Sequence, residues 1–233
     1  MKKILWGLFV VPVGLLSMLT LAFGIWKSES FFSIDNVKIN GTKQLKDEEV
    51  MTRAMPLLKD NILRVDVQKI SDAVNAHPYV RETRVKRVFP FAIVIDVREK
   101  KPSALWVNGE GNIQVVDEEG APFRRMGRGE DQGLFVINAL RQEEVKRVFG
   151  EVSKWTKEGT VKKEYISEVA CYDGGFTLFS EADGVEIILG KEDYQLRLKR
   201  ALAILEDAKK RGLLIRCIDA RFEKGAIIQE RKG

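Results

Sequence analysis

The sequence predicts an α+β protein: a single N-terminal transmembrane helix, a small β-α-α-β-β domain, then a mixed α/β domain with a curved sheet and two helices. Three observations carry this reading. Ile4–Trp26 are 23 consecutive residues without a charge, bounded by Lys3 and Lys27. Val80–Pro102 holds two β-rich runs, Val80–Phe89 and Ala92–Lys100, that meet at Pro90-Phe91. Beyond Pro102, short strand-like runs alternate with two long helical patterns, Gln142–Lys157 and Tyr194–Arg211. The expected divisions are 1–30, 31–102 and 103–233.

The apolar run comes first. At ~1.5 Å per residue it makes a helix of roughly 34 Å, enough for the ~30 Å hydrocarbon core. Trp6 and Trp26 stand at its two ends, where indoles favour the membrane interface. A cleaved signal peptide has a shorter apolar region and a small-residue cleavage site, whereas this run closes Gly24-Ile25-Trp26-Lys27. Lys2, Lys3 and the terminal amine favour a cytoplasmic amino terminus, with the following ~200 residues outside the cytoplasmic membrane.

Ser33–Asn40 alternates with Ile34, Val37 and Ile39 apolar, then Gly41 breaks it, which predicts a strand and a turn. Lys46–Met55 has helical spacing and an acidic first turn, and Pro56 ends it. Asp66 is placed to cap a second helix, Val67–Ala76. In the hairpin that follows, Ile93, Ile95 and Val97 alternate onto one face, while Arg81, Arg87, Asp96 and Arg98 are expected on the other. Ala104–Asn108 and Ile113–Asp117 read as a second hairpin, and Arg124–Gly133 as a polar loop before a strand at Leu134–Asn138. After the helix Gln142–Lys157 come strands at Ile166–Tyr172, Phe176–Ser180 and Val185–Leu189, with glycine turns between them. Gly212 closes the last helix, and the chain finishes with strands at Leu214–Phe222 and Ala226–Gln229 around Gly225.

Charge is unevenly spread. Phe31–Lys101 carries 14 Lys/Arg against 10 Asp/Glu, and Pro102–Gly233 carries 22 against 23. Each basic cluster has acidic neighbours, so the pattern does not suit nucleic acid. The chain has one histidine and no CxxC, which argues against a metal site. His77 precedes Pro78 at a helix end, a capping position, and no nucleophile is paired with it. Asp173, Asp183, Asp219 and Glu223 sit at turns and strand ends, where acidic residues are ordinary. No phosphate loop, SxxK, GxSxG or HExxH is present. The sequence therefore assigns no catalytic residue, no cofactor and no metal, and predicts a binding protein. Cys171 and Cys217 are left open between a disulfide and two small buried hydrophobes.

Several stretches together resemble a known family. Phe32-Ser33-Ile34-Asp35-Asn36-Val37-Lys38-Ile39-Asn40-Gly41, His77-Pro78-Tyr79-Val80, Val85-Lys86-Arg87-Val88-Phe89-Pro90 and Ile93–Pro102 resemble the POTRA domain of the bacterial cell-division FtsQ/DivIB family. Val116–Gly120, Asp183-Gly184, Leu189-Gly190 and Ile218-Asp219-Ala220-Arg221-Phe222 with Gly225 resemble that family's β domain. POTRA patterns also occur in outer-membrane assembly proteins that continue into a barrel, and this chain ends without one.

The resemblance implies a bitopic scaffold of the division septum in the inner membrane, its bulk periplasmic. It implies partners of the FtsB/FtsL type, with FtsK and the FtsW/FtsI synthase pair as further ones. The last strand is expected to take a partner strand by edge addition, through Phe222, Gly225, Ala226, Ile227 and Ile228. The POTRA arginines Arg81, Arg84, Arg87 and Arg98 are the expected surface for an upstream partner. The alternative is a POTRA-bearing envelope assembly or chaperone factor that binds unfolded client strands.

Overall fold

A computed structural model describes residues 14–24, 32–59, 61–127 and 133–231. Residues 14–24 are helical and exposed. Among the described residues no helix is long and apolar enough to cross a membrane, and the rest of the Ile4–Trp26 run lies outside them. The chain divides into two compact units between Glu99 and Lys100.

The first unit runs β1 (Asn36–Asn40), α1 (Asp47–Ala54), α2 (Val67–Asn75), β2 (Val80–Val88) and β3 (Ala92–Glu99), in the predicted order. Its sheet is β1-β3-β2, with β1 parallel and β2 antiparallel to the central strand. One face is covered: Val50 and Ala54 of α1 and Ile70 and Val74 of α2 bury against Ile93, Ile95 and Val97. Local chemistry sets the ends of these elements. Asp66 caps α2 by accepting from the N–H groups of Gln68 (3.1 Å) and Lys69 (3.3 Å). Gly41 turns the chain at φ +90°, and a β-carbon there would lie 2.1 Å from the Val97 carbonyl oxygen.

The pairing corrects one expectation. Arg87 lies opposite Ile93, so its side chain shares the helix-covered face rather than the outer one. Its guanidinium donates to the carbonyls of Ile62 (3.1 Å) and Val65 (2.6 Å), satisfying the loop between the helices. Strict alternation places it there; the long stem lets a charged residue stand at the inner edge while its head binds backbone.

The second unit is one nine-stranded sheet. Its elements are β4 (Ala104–Val107), β5 (Ile113–Val116), β6 (Pro122–Arg125), β7 (Val136–Ala139), α3 (Gln142–Lys157), β8 (Ile166–Tyr172), β9 (Gly175–Ser180), β10 (Glu186–Gly190), α4 (Tyr194–Lys210), β11 (Ile215–Asp219) and β12 (Ile227–Glu230). Their order across the sheet is β12-β11-β10-β9-β8-β7-β4-β5-β6. β6 runs into the stretch read as a polar loop and shares Arg124 and Arg125 with it. Four residues beginning with proline and ending in two arginines give too short an alternation to see. The helices α3 and α4 bury Val145, Val148, Val152, Trp155, Leu198, Ala201, Leu205 and Ala208 in a single core with the sheet.

Cys171 and Cys217 are both free and buried. They stand on β8 and β11, three strand spacings apart. That is roughly 14 Å, far beyond the reach of a disulfide.

Candidate partner-binding edge

A row of apolar side chains crosses most of the second sheet on its helix-covered face. Through the strand registers it runs Trp106, Ile137, Val169, Leu178, Ile187, Ile218 and Ile228. The first six are buried, and the last, on outermost β12, is exposed. The row's other end differs: β5 places Gln114 opposite Trp106, and β6 places Arg125 opposite Gln114. One end of the sheet is closed by proline and arginines, and the other ends on an isoleucine.

Both ends of β12 are tied down. Arg200 of α4 donates to the carbonyls of Ala220 (2.9 Å), Phe222 (2.6 Å) and Glu223 (2.6 Å), gripping the β11–β12 loop. At the end of β11, Asp219 accepts a double contact from Arg221 of the loop, and the arginine hydrogen bond holds the carboxyl below its usual range against the opposing effect of burial. At the far end the Arg231 N–H donates to the Leu214 carbonyl at 2.7 Å. Its guanidinium reaches the carbonyls of Asp183 (3.0 Å) and Gly184 (3.3 Å). By alternation from that Arg231 bond, the main-chain groups of Gln229 and Ile227 face β11, and those of Ile228 and Glu230 face outward.

The predicted residues gather along this edge. Phe222 and Gly225 lie in the loop, Gly225 at φ +80°, and Ala226 packs against the core at the strand's start. Ile227 is 53% exposed and sits opposite Asp219, on the face away from the helices. A cleft of about 530 Å³ adjoins Arg221, lined also by Tyr172, Phe176, Ile188, Gly190 and Arg197. Sequence reasoning missed Arg200, whose signal is absent because its partners lie 20 to 23 residues away.

The acidic residues considered for catalysis are dispersed. Asp173 pairs with Lys191 at 2.6 Å, Asp183 with Lys209, and Asp219 with Arg221. His77 lies 3.3 Å from the Glu49 carboxylate, and its ring nitrogen Nδ1 accepts from the Tyr79 N–H, which ties α1 to the corner before β2. No group of three or more metal-ligating side chains occurs among the described residues.

The first unit's arginines divide. Arg84 and Arg98 lie on the outer face of the β2–β3 pair, where Arg84 contacts Glu82 at 3.0 Å and Lys86 contacts Asp96 at 2.9 Å. Arg81 is half-buried at a bulge between Val80 and Glu82. With Arg87 turned inward, the four do not form one patch.

Residues 32–100 match the family POTRA domain, FtsQ-type, and residues 104–221 match Cell division protein FtsQ/DivIB, C-terminal. The chain belongs to the FtsQ/DivIB family. Among curated FtsQ/DivIB proteins, Cell division protein FtsQ of Myxococcus fulvus is 27% identical over 193 residues, covering 78% of this chain and 67% of that protein. The protein of the same name from Geobacter sp. strain M21 is 25% identical over 228 residues, covering 90% and 82%. That of Geotalea daltonii is 23% identical over 224 residues, covering 89% and 80%. The FtsQ/DivIB match stops at Arg221, so the case for β12 rests on its geometry.

Proposed function

We propose that the protein is a membrane-anchored scaffold of the bacterial division machinery that offers the outer edge of β12 to a strand of a partner protein. The carrying observation is the apolar row that ends, exposed, at Ile228. An added strand would continue that row and pair with the outward main-chain groups of Ile228 and Glu230. Arginines at both ends keep the edge ordered before binding, which lowers the entropy lost on association. The first sheet's β2 edge is less inviting, since five of its nine residues are charged. That favours one dedicated strand site over a chaperone-like edge for many clients.

The Ile4–Trp26 run would hold the chain in the cytoplasmic membrane with the two units outside. Partners would be bitopic division proteins of the FtsB/FtsL type, with FtsK and the FtsW/FtsI pair as further candidates. Arg84 and Arg98 on the outer face of the first sheet remain the candidate surface for an upstream partner.

The test uses two exposed positions whose replacement leaves the core intact. Ile227→Lys and Phe222→Ala should each abolish co-purification of an FtsB/FtsL-type partner, while the protein still reaches mid-cell. Undiminished partner capture by folded Ile227→Lys protein would refute the edge assignment.

A further inference from the structure

Beyond residues 14–24, the exposed large apolar side chains of the first unit are Met55, 61% exposed, and a group of four that includes three from a single hairpin tip. Val88, Phe89 and Phe91, at the tip of the β2–β3 hairpin, are 46%, 57% and 40% exposed, and Leu63 is 38% exposed. Two exposed phenylalanines two residues apart on one hairpin tip, with an exposed valine before them, are not ordinary scatter.

Main-chain bonds join this tip to the place where the chain comes in from its amino-terminal run. The N–H groups of Asp35 and Asn36 both donate to the Phe91 carbonyl, at 3.0 and 3.4 Å. The Ile62 N–H donates to the Phe32 carbonyl at 2.9 Å, and Arg87 binds the carbonyls of Ile62 and Val65. The hairpin tip, the chain at Phe32–Asn36 and the loop at 61–65 therefore form one surface. From Trp26, at the end of the apolar run, to Phe32 is six residues, which span at most about 20 Å when fully extended. A bilayer holding Ile4–Trp26 would thus lie within about 20 Å of this surface. The headgroup layer takes up about a third of that distance.

We infer that the Val88–Phe91 tip is seated in the interfacial layer of the same bilayer, as a second membrane contact beside the N-terminal anchor. The inference rests on the anchoring reading above. Aromatic side chains are the residues that favour this layer, where ring surface leaves water without crossing the hydrocarbon. Over the sequence segments 32–36, 59–66 and 87–91, Lys59, Arg64 and Arg87 are matched by Asp35, Asp60 and Asp66. The contact therefore depends on the rings and not on net positive charge. Two attachments in place of one would fix which side of the domain faces the membrane and restrict its rotation about the linker.

The test places a nitroxide label at Phe89→Cys or Phe91→Cys in the full chain, reconstituted in phosphatidylethanolamine–phosphatidylglycerol vesicles. Arg84→Cys and Arg98→Cys on the outer sheet face serve as references. Cys171 and Cys217, 1% and 6% exposed, stay unlabelled in the folded protein. Collision with membrane-dissolved oxygen relative to a water-soluble nickel chelate should be several-fold higher at 89 and 91 than at 84 and 98. Equal ratios at all four positions, in a chain that resists alkaline extraction, would overturn the tip contact and leave the anchor standing. Release of the chain by alkaline extraction would remove the anchor, and the tip contact with it. A label at 89 shielded from both oxygen and chelate would mean protein packs there, which also overturns the proposal.

Discussion

At the scale of single residues, the first unit depends on Glu99, whose carboxylate accepts the N–H groups of Lys43 (2.6 Å), Gln44 (3.1 Å) and Leu45 (3.0 Å) ahead of α1. Partial burial pushes this carboxyl up, and the three backbone N–H groups outweigh that and leave it below its ordinary value. A carboxyl with a lowered folded value adds stability that is complete above its unfolded value of about 4.3 and is lost as pH falls through the folded value. Glu99→Gln should therefore cost about 1–2 kcal/mol at pH 7, the charged hydrogen bonds being discounted for exposure. The difference from the parent should shrink below about pH 4 and vanish in stronger acid, measured by urea unfolding across pH. This contact was invisible in the sequence because Glu99 lies 54 to 56 residues from its donors. Gly41, by contrast, was legible as a turn, since its need for positive φ is local.

Elements were read well where the signal is periodic and long. The helix Gln142–Lys157 was placed to the residue, because valines at three- and four-residue spacing with Trp155 mark one face. Strand β6 was lost in a polar run, and the clamps on β12 arise only once α4 lies beside the β11–β12 loop. Those clamps make a sharp comparison possible within one strand. Proline at 228 removes an N–H directed away from β11, so Ile228→Pro should leave the domain's stability within about 1 kcal/mol while blocking strand addition. Proline at 229 removes a ladder bond to β11, and Gln229→Pro should cost about 3 kcal/mol. Thermal unfolding paired with partner titration separates the two. Equal destabilisation by both would show that β12 is not the free edge.

For the whole molecule, the succession of the two folded units was legible and the order of strands was not. Parallel neighbours join strands separated by long stretches of chain: β4 with β7 and β10 with β11. Such crossovers leave no local trace in composition or period. What local patterning does specify is that each module fills its own core. The buried clusters share no residue: Ile93, Ile95, Ile70 and Val50 belong to one, and Trp155, Phe176, Leu178 and Ile187 to the other. Cavity formation acts on the atoms lining the cavity, because packed interiors relax only partially. Ile93→Ala removes methyl groups that are completely buried within the first cluster, which should cost about 2–5 kcal/mol there. Native-state amide exchange should then show faster opening of β2 and β3, with the protection of β8 to β10 unchanged. If β8 to β10 lose protection to the same degree, the two cores unfold as one cooperative body, and a defect in the first unit would reach β12 directly.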